Sequence, residues 1–353
     1  MTTEVESAFR LLPRLDDSLR ERVQHRLDHL TKPRGSLGRL EEFARDYITM
    51  RNDLSARVTR KAVVVFAADH GVVEEGVSAY PKDVTYQMVL NFLHGGAAIN
   101  VIARHSNTRV RVVDIGVDHD FGSLDGLVHA KVAPGTHNMA RGRAMARETA
   151  LLAMEEGFRL ARILGEEGVD IMAPGEMGIG NTTAAGAMAA VFTGKPVREV
   201  TGRGTGVDDH TFEQKVDVIE QAIRTNRPNP RDPLDVLSKV GGLEIAAMAG
   251  LVIGAASARI PVVLDGFIST AGALVAYELN HEIRNYLFAA HRSVEIGHGA
   301  MLDRMNLKPF VDLSLRLGEG TGAVIGMDLI QLGVEILHGM ATFETAGVSD
   351  KEA

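Results

Sequence analysis

Two carboxylates stand in glycine-rich stretches where they could meet a ligand: Glu176 in GEMGIGNTT (175–183) and Glu319 in LGEGTG (317–322). TGRGTGVDD (201–209) and HRSVEIGHG (291–299) share that texture. Glycine lets backbone N–H groups come close to a ligand, and a helix that starts just after such a loop adds positive end-charge suited to an anion. One such loop is ordinary turn chemistry. Four of them, supplied with hydroxyl and amide side chains, point to a phosphate-bearing small molecule. Taken alone, Gly318-Glu319-Gly320 reads as a solvated turn, because glutamate is usually exposed.

The established chemical signatures are mostly missing. Gly194-Lys195 is followed by Pro196, so no nucleotide-hydrolysing phosphate loop is present. Gly318-x-Gly320-x-x-Ala323 has the form of a dinucleotide fingerprint, but too little chain follows to build the rest of that fold. His281-Glu282 lacks the second histidine of a zinc helix, and there is no G-x-S-x-G nucleophile turn. The chain has no cysteine, which removes thiolate nucleophiles, disulfides and cysteine zinc sites. A metal site from His70, His291 and His298 is conceivable, yet scattered histidines are more often hydrogen-bonded structural residues, and no metal is expected. Asp208-Asp209 reads as a helix cap in preference to a metal-pyrophosphate site.

The elements that must position these loops follow from periodicity. Short β-branched runs occur at Lys61 to Ala68, Val110 to Val117, Val169 to Pro174, Pro261 to Leu264 and Tyr286 to Ala290, each leading through a polar or glycine-rich loop into a helical pattern. That alternation predicts an α/β fold with a mostly parallel sheet flanked by helices, and ligands beyond the carboxyl ends of its strands. Three runs end in residues capable of chemistry: Asp69-His70-Gly71, Gly175-Glu176 and Asp265-Gly266. AAGAMAA (184–190) and IAAMAGLVIGAASA (245–258) predict closely packed helices. Glu4 to about Leu54 reads as helices joined by one tight loop at Pro33 and Gly35-Ser36-Leu37-Gly38. Thr321 to Met340 reads as one long apolar helix returning to these. The expected division is a small helical domain from residues 1–58 plus about 324–353, and a large α/β catalytic domain over 59–323.

At 353 residues, with 45% hydrophobic and 24% charged residues, the chain can build a substantial core. Acidic residues outnumber basic ones 46 to 38, which disfavours nucleic acid and anionic membranes as partners. The longest uncharged apolar run, Ile245 to Ala258, falls short of a membrane span. The N-terminal stretch mixes acids and bases where a secretory signal needs an apolar core, so a cytoplasmic location is expected.

Read in order, KPRGSLGRLE (32–41), DHGVVEEGVSAYP (69–81), NFLHGGAAINVIAR (91–104), the four glycine loops, VLDGFIST (263–270) and FETAGVSDK (343–351) cover nearly the whole chain. Together they resemble the nicotinate-nucleotide:dimethylbenzimidazole phosphoribosyltransferase family, which makes α-ribazole 5′-phosphate for the lower ligand of cobalamin. The resemblance implies a Rossmann-like large domain, a small helical domain from both chain ends, and a homodimer. It implies nicotinate mononucleotide and 5,6-dimethylbenzimidazole as substrates and no cofactor.

By the same resemblance Glu319 is the general base. Ser78, Gln87 and Leu317 help form the aromatic-base pocket. Gly178, Asn181, Thr182, Gly204, Lys215 and Ser293 hold the nucleotide phosphate and ribose, with Glu176 and Asp265 as further contacts. In the implied reaction a benzimidazole nitrogen attacks C1′ with inversion, and a carboxylate takes the proton from the other ring nitrogen. The pyridinium leaves as a neutral ring and needs no general acid. Motif matching leaves open a related transferase for another azole, a purine or a phenolic base, and a catalytically silent nucleotide-binding protein. A nicotinamide-cofactor oxidoreductase is disfavoured by the late position of its fingerprint.

Overall fold

The computed structural model describes residues 4–204 and 206–349. Thr205 of the TGRGTGVDD loop, and Asp350 and Lys351 of the last motif, lie outside the described residues. Seven strands form one sheet: β1 (Lys61–Ala68), β2 (Thr108–Gly116), β3 (Leu127–His129), β4 (Ile171–Met177), β5 (Val262–Leu264), β6 (Leu287–His291) and β7 (Pro309–Val311). Their order is β3-β2-β1-β4-β5-β6-β7, and every neighbouring pair is parallel. β1 is buried along its whole length, as its uninterrupted apolar run requires when both faces carry helices. The chain leaves β1 toward one edge and crosses back to β4, so the switch in strand order lies between β1 and β4. A crevice opens on the β4 side of that switch, beyond the carboxyl ends of β4, β5 and β6.

The small-residue helices lie where backbones approach most closely. Helix Leu243–Ser257 packs on helix Arg147–Glu166, and a Cβ at Gly157 or Gly250 would strike the backbone of Ala247 or Met154. Helix Thr321–Gly339 begins beside the crevice, crosses the sheet over β4, β5 and β6, and ends against helix Arg39–Arg51. At that contact a Cβ on Gly333 would come within 2.5 Å of the Leu40 carbonyl oxygen. The two chain ends also pair directly: Leu30 and Thr342 form an antiparallel bridge, and Arg26 Nε donates to the Leu337 carbonyl at 2.8 Å. By length and hydropathy Thr321–Gly339 could cross a membrane, but it holds Asp328, which pairs with Lys61 Nζ at 2.6 Å. Its apolar face belongs to the same hydrophobic core as the sheet.

Candidate active site

The glycine loops converge. At the carboxyl ends of β4, β5 and β6 they enclose a cavity of about 470 Å³, bounded by Gly178, Asn181, Thr182, Gly204, Asp265, Ser293, Leu317, Glu176 and Glu319. Of the other residues singled out by sequence, Lys215 sits just behind the wall and donates from Nζ to Thr182 Oγ1 at 2.7 Å. Ser78 does not line the cavity, but its Oγ accepts the N–H of Tyr80, which does, at 3.2 Å. Gln87 is exposed on helix Val84–Leu93, whose Val84 and Met88 line the cavity instead.

Glu319 is held in an unusual backbone state. Gly318, Glu319 and Gly320 have φ of +87°, +63° and +91°, three successive residues in the left-handed region. Glutamate lacks glycine's freedom there, and its placement costs about 1–2 kcal/mol. The flanking glycines are required by space as well. A Cβ on Gly318 would collide with Glu176 Oε1, and one on Gly320 would sit 2.6 Å from Val63 Cγ1. The turn therefore lies directly on the end of β4.

Asp265, at the end of β5, fixes the turn from the other side. Its Oδ2 accepts the Gly320 N–H at 3.0 Å, its Oδ1 accepts the Gly322 N–H at 2.7 Å, and His291 Nε2 lies 3.3 Å from Oδ1. This carboxylate caps helix Thr321–Gly339, where negative charge complements the helix end. Glu319 Oε2 is held in turn by the Ile99 N–H at 3.1 Å, in the first turn of helix Ala98–His105. Burial raises the Glu319 pKa above its ordinary 4.5, the Ile99 N–H opposing and the nearby Asp265 charge assisting. The result is a carboxylate more basic than one in water, on a fixed backbone.

Glu176 is buried beside it. Burial, with the charges of Asp265 and Glu244 adding to it, pushes its pKa up to about 8, so it carries its proton at neutral pH. The Asn181 amide and, at 3.4 Å, the Glu319 N–H reach its two oxygens. Burial thus raises both carboxyl groups of the cavity above their ordinary range, Glu176 to about 8.

The opposite wall suits an anion. Helix Asn181–Thr193 starts after Gly180, at φ +94°, and turns its N-terminal end to the cavity. Lys215 is 1% exposed, and burial lowers its pKa to about 8, with Glu295 opposing. Gly204 is clamped on both sides: its N–H donates to Glu295 Oε1 at 2.9 Å, and its carbonyl accepts from Arg316 at 3.4 Å. Glu295 and Arg316 line the cavity without having been singled out by sequence, although both lie in or beside quoted motifs. The i, i+4 spacing of Val84 and Met88 was the available signal for the helical wall.

The histidines have other partners. His70 Nε2 meets Glu244 Oε1 at 2.7 Å with both side chains buried, and His291 meets Asp265. His298 accepts the Ser293 N–H at Nδ1, 2.9 Å, so its proton sits on Nε2, 3.0 Å from Thr270 Oγ1. Burial pushes its pKa down to about 3, which keeps it neutral. Among the described residues no three histidine or carboxylate groups gather to hold a metal ion, so the conceivable three-histidine site is not assembled. Asp208 does cap a helix, its side chain accepting the Thr211 N–H at 2.8 Å.

Comparison with known proteins agrees over nearly the full length. A family model described as "Phosphoribosyltransferase" matches residues 12–348. The chain is 58% identical over 348 residues to the nicotinate-nucleotide–dimethylbenzimidazole phosphoribosyltransferase of Geotalea uraniireducens, covering 99% of each. It is 57% identical over 350 residues to the protein of that name from Geobacter sulfurreducens, again covering 99% of each. Among solved structures, the enzyme of that name from Thermus thermophilus superposes with a TM-score of 0.90 at 46% identity, over 96% of this chain and 100% of that one.

Proposed function

The chain belongs to the nicotinate-nucleotide–dimethylbenzimidazole phosphoribosyltransferase family, and from that premise we propose that it carries out the family's pentosyl transfer. The 5-phosphoribosyl group passes from nicotinate mononucleotide to 5,6-dimethylbenzimidazole. The products are α-ribazole 5′-phosphate and nicotinate, in cobalamin biosynthesis.

The observation that carries this reading is the Glu319 carboxylate, fixed where the phosphate-type loops meet the apolar wall of Val84, Met88 and Leu317. The phosphate is assigned to the end of helix Asn181–Thr193, with Gly178, Asn181, Thr182, Gly204, Lys215 and Ser293. The base is assigned to the side of Val84, Met88 and Leu317, with Ser78 and Gln87 outside the cavity wall. Glu319 accepts the benzimidazole proton as the ring's other nitrogen bonds to C1′. Holding two rings about one carbon supplies much of the acceleration, the phosphate serving as a remote anchor. Glu176, neutral at pH 7, and Asp265, engaged with two amides, shape the turn that carries the base.

A homodimer fits the exposure of Tyr80 and Leu317, large apolar side chains at the cavity rim that a second copy would cover. A cytoplasmic location fits substrates that include a charged mononucleotide. The division into residues 1–58 plus about 324–353 and residues 59–323 is supported by the pairing of the two chain ends.

The test is to incubate purified protein with nicotinate mononucleotide and 5,6-dimethylbenzimidazole and to look chromatographically for α-ribazole 5′-phosphate and released nicotinate. Absence of product above the enzyme-free control would refute the proposal.

A further inference from the structure

One buried hydroxyl joins the two halves of the cavity. Thr85 lies in the first turn of helix Val84–Leu93, between Val84 and Met88, which line the aromatic side, and it is fully buried. Its Oγ1 accepts the Ile179 N–H at 3.1 Å. Ile179 belongs to the turn Gly178-Ile179-Gly180 that leads into helix Asn181–Thr193 on the phosphate side. The peptide between Gly178 and Ile179 is thereby held at both ends, because the Gly178 carbonyl accepts the Asn181 N–H at 3.1 Å.

The surroundings leave this turn little other freedom. A Cβ on Gly178 would meet the Ala68 carbonyl oxygen at 2.5 Å, and one on Gly180 would meet Val73 at 2.8 Å. The helix is also braced by Tyr86, stacked on His119 at 4.4 Å between ring centroids. The Thr85 hydroxyl also helps to hold down the pKa of Asp69, which burial raises. Asp69 Oδ2 in turn accepts the Asp118 N–H at 2.8 Å.

We propose that Thr85 is a positioning residue for the transfer reaction: its hydroxyl sets the spacing between the helix that lines the base and the turn that leads to the phosphate. It touches neither substrate and acts through Ile179 and through Val84 and Met88. Displacement in-line requires the base nitrogen and C1′ within near-attack distance, and a misplacement of about 1 Å costs roughly 100-fold in rate. Loss of the hydroxyl lowers turnover more than it lowers affinity for either substrate alone. The proposal rests on the functional reading given above.

The experiment compares Thr85→Val, equal in shape but without the hydroxyl, with Thr85→Ser, which keeps the hydroxyl. Turnover and KM are measured for both substrates, nicotinate mononucleotide affinity by calorimetry, and backbone exchange by deuterium labelling of peptides spanning 84–93 and 178–183. Thr85→Val is expected to lose at least tenfold in kcat with mononucleotide affinity within threefold, and to exchange faster in both peptides. Thr85→Ser is expected within threefold of wild type in every readout. Unchanged kcat in Thr85→Val, or equal losses in both variants, would overturn the proposal, as would a loss confined to mononucleotide affinity. A wild-type protein without turnover would sink the functional reading instead. The exchange data would then decide Thr85 alone, and unchanged exchange in Thr85→Val would refute its bracing role.

Discussion

Replacing Glu319 with glutamine isolates the proton transfer from everything else the residue does. The amide keeps the volume and the strained backbone, and its oxygen can still accept the Ile99 N–H now held at 3.1 Å. Only basicity is lost. A positioned general base contributes about 10²- to 10⁴-fold, equivalent to roughly 2.7 to 5.4 kcal/mol of barrier, so kcat should fall within that span. Mononucleotide affinity, which we assign to the opposite wall, should stay within threefold by calorimetry. The pH profile gives a second reading. Burial places the Glu319 pKa above 4.5, so wild-type kcat should decline on the acid side as pH falls through that raised value. The glutamine variant should lack that limb. A fall in kcat of less than tenfold, or an acid limb that persists in Glu319→Gln, would refute the assignment of Glu319 as base.

Other perturbations address the rest of the site. Lys215→Met should weaken mononucleotide binding about 10- to 100-fold, the worth of a charge-assisted hydrogen bond, with titration calorimetry as the check. Because the Lys215 pKa is lowered to about 8, wild-type affinity should decline as pH rises through 8. The unliganded protein should instead gain stability between about pH 8 and 10.5, where the unfolded chain holds more protons; Lys215→Met should lack this gain in thermal melts. Glu176 has the opposite sign. Its folded pKa of about 8 exceeds the ordinary 4.5, so the stability it contributes is lost as pH rises from 4.5 through 8. Glu176→Gln, with the Asn181 amide turned to match, should therefore melt higher than wild type at pH 9 and show less difference at pH 5. Gly318→Ala should be destabilised by about 1–2 kcal/mol or more and lose turnover, since its Cβ meets Glu176 and its φ is +87°. Denaturant melts and the product assay check both effects.

What could be read from sequence was whatever local pattern decides. The run Lys61 to Ala68 is β1 to the residue, because a strand buried on both faces writes a continuous apolar signal. β3 and β7 left no such signal: each has three residues at a sheet edge, and their pairing is set by neighbours far along the chain. Glycine loops announced an anion site through their composition, yet nothing local tells that Asp265 caps a helix beginning 56 residues later. Gln87 shows the same limit from the other side. The family resemblance puts it in the base pocket, whereas the helix turns Val84 and Met88 to the cavity. The strain at Glu319 was also illegible, since Gly-Glu-Gly fits a solvated turn equally well until the backbone angles are known.

Helix Thr321–Gly339 has a mechanical consequence. It starts two residues after Glu319 and runs 19 residues, about 28 Å, past its contact with Leu40 at Gly333. A rigid rod of that length moves its tip by roughly 0.5 Å for each degree of tilt, a sizeable part of the 1 Å that ruins alignment. The N-terminal helices that clamp its far end are therefore the angular reference for the turn that carries Glu319. Shortening the Gly333 contact distance or wedging it open acts as a fine adjustment of the Glu319 position, made from the opposite end of the helix.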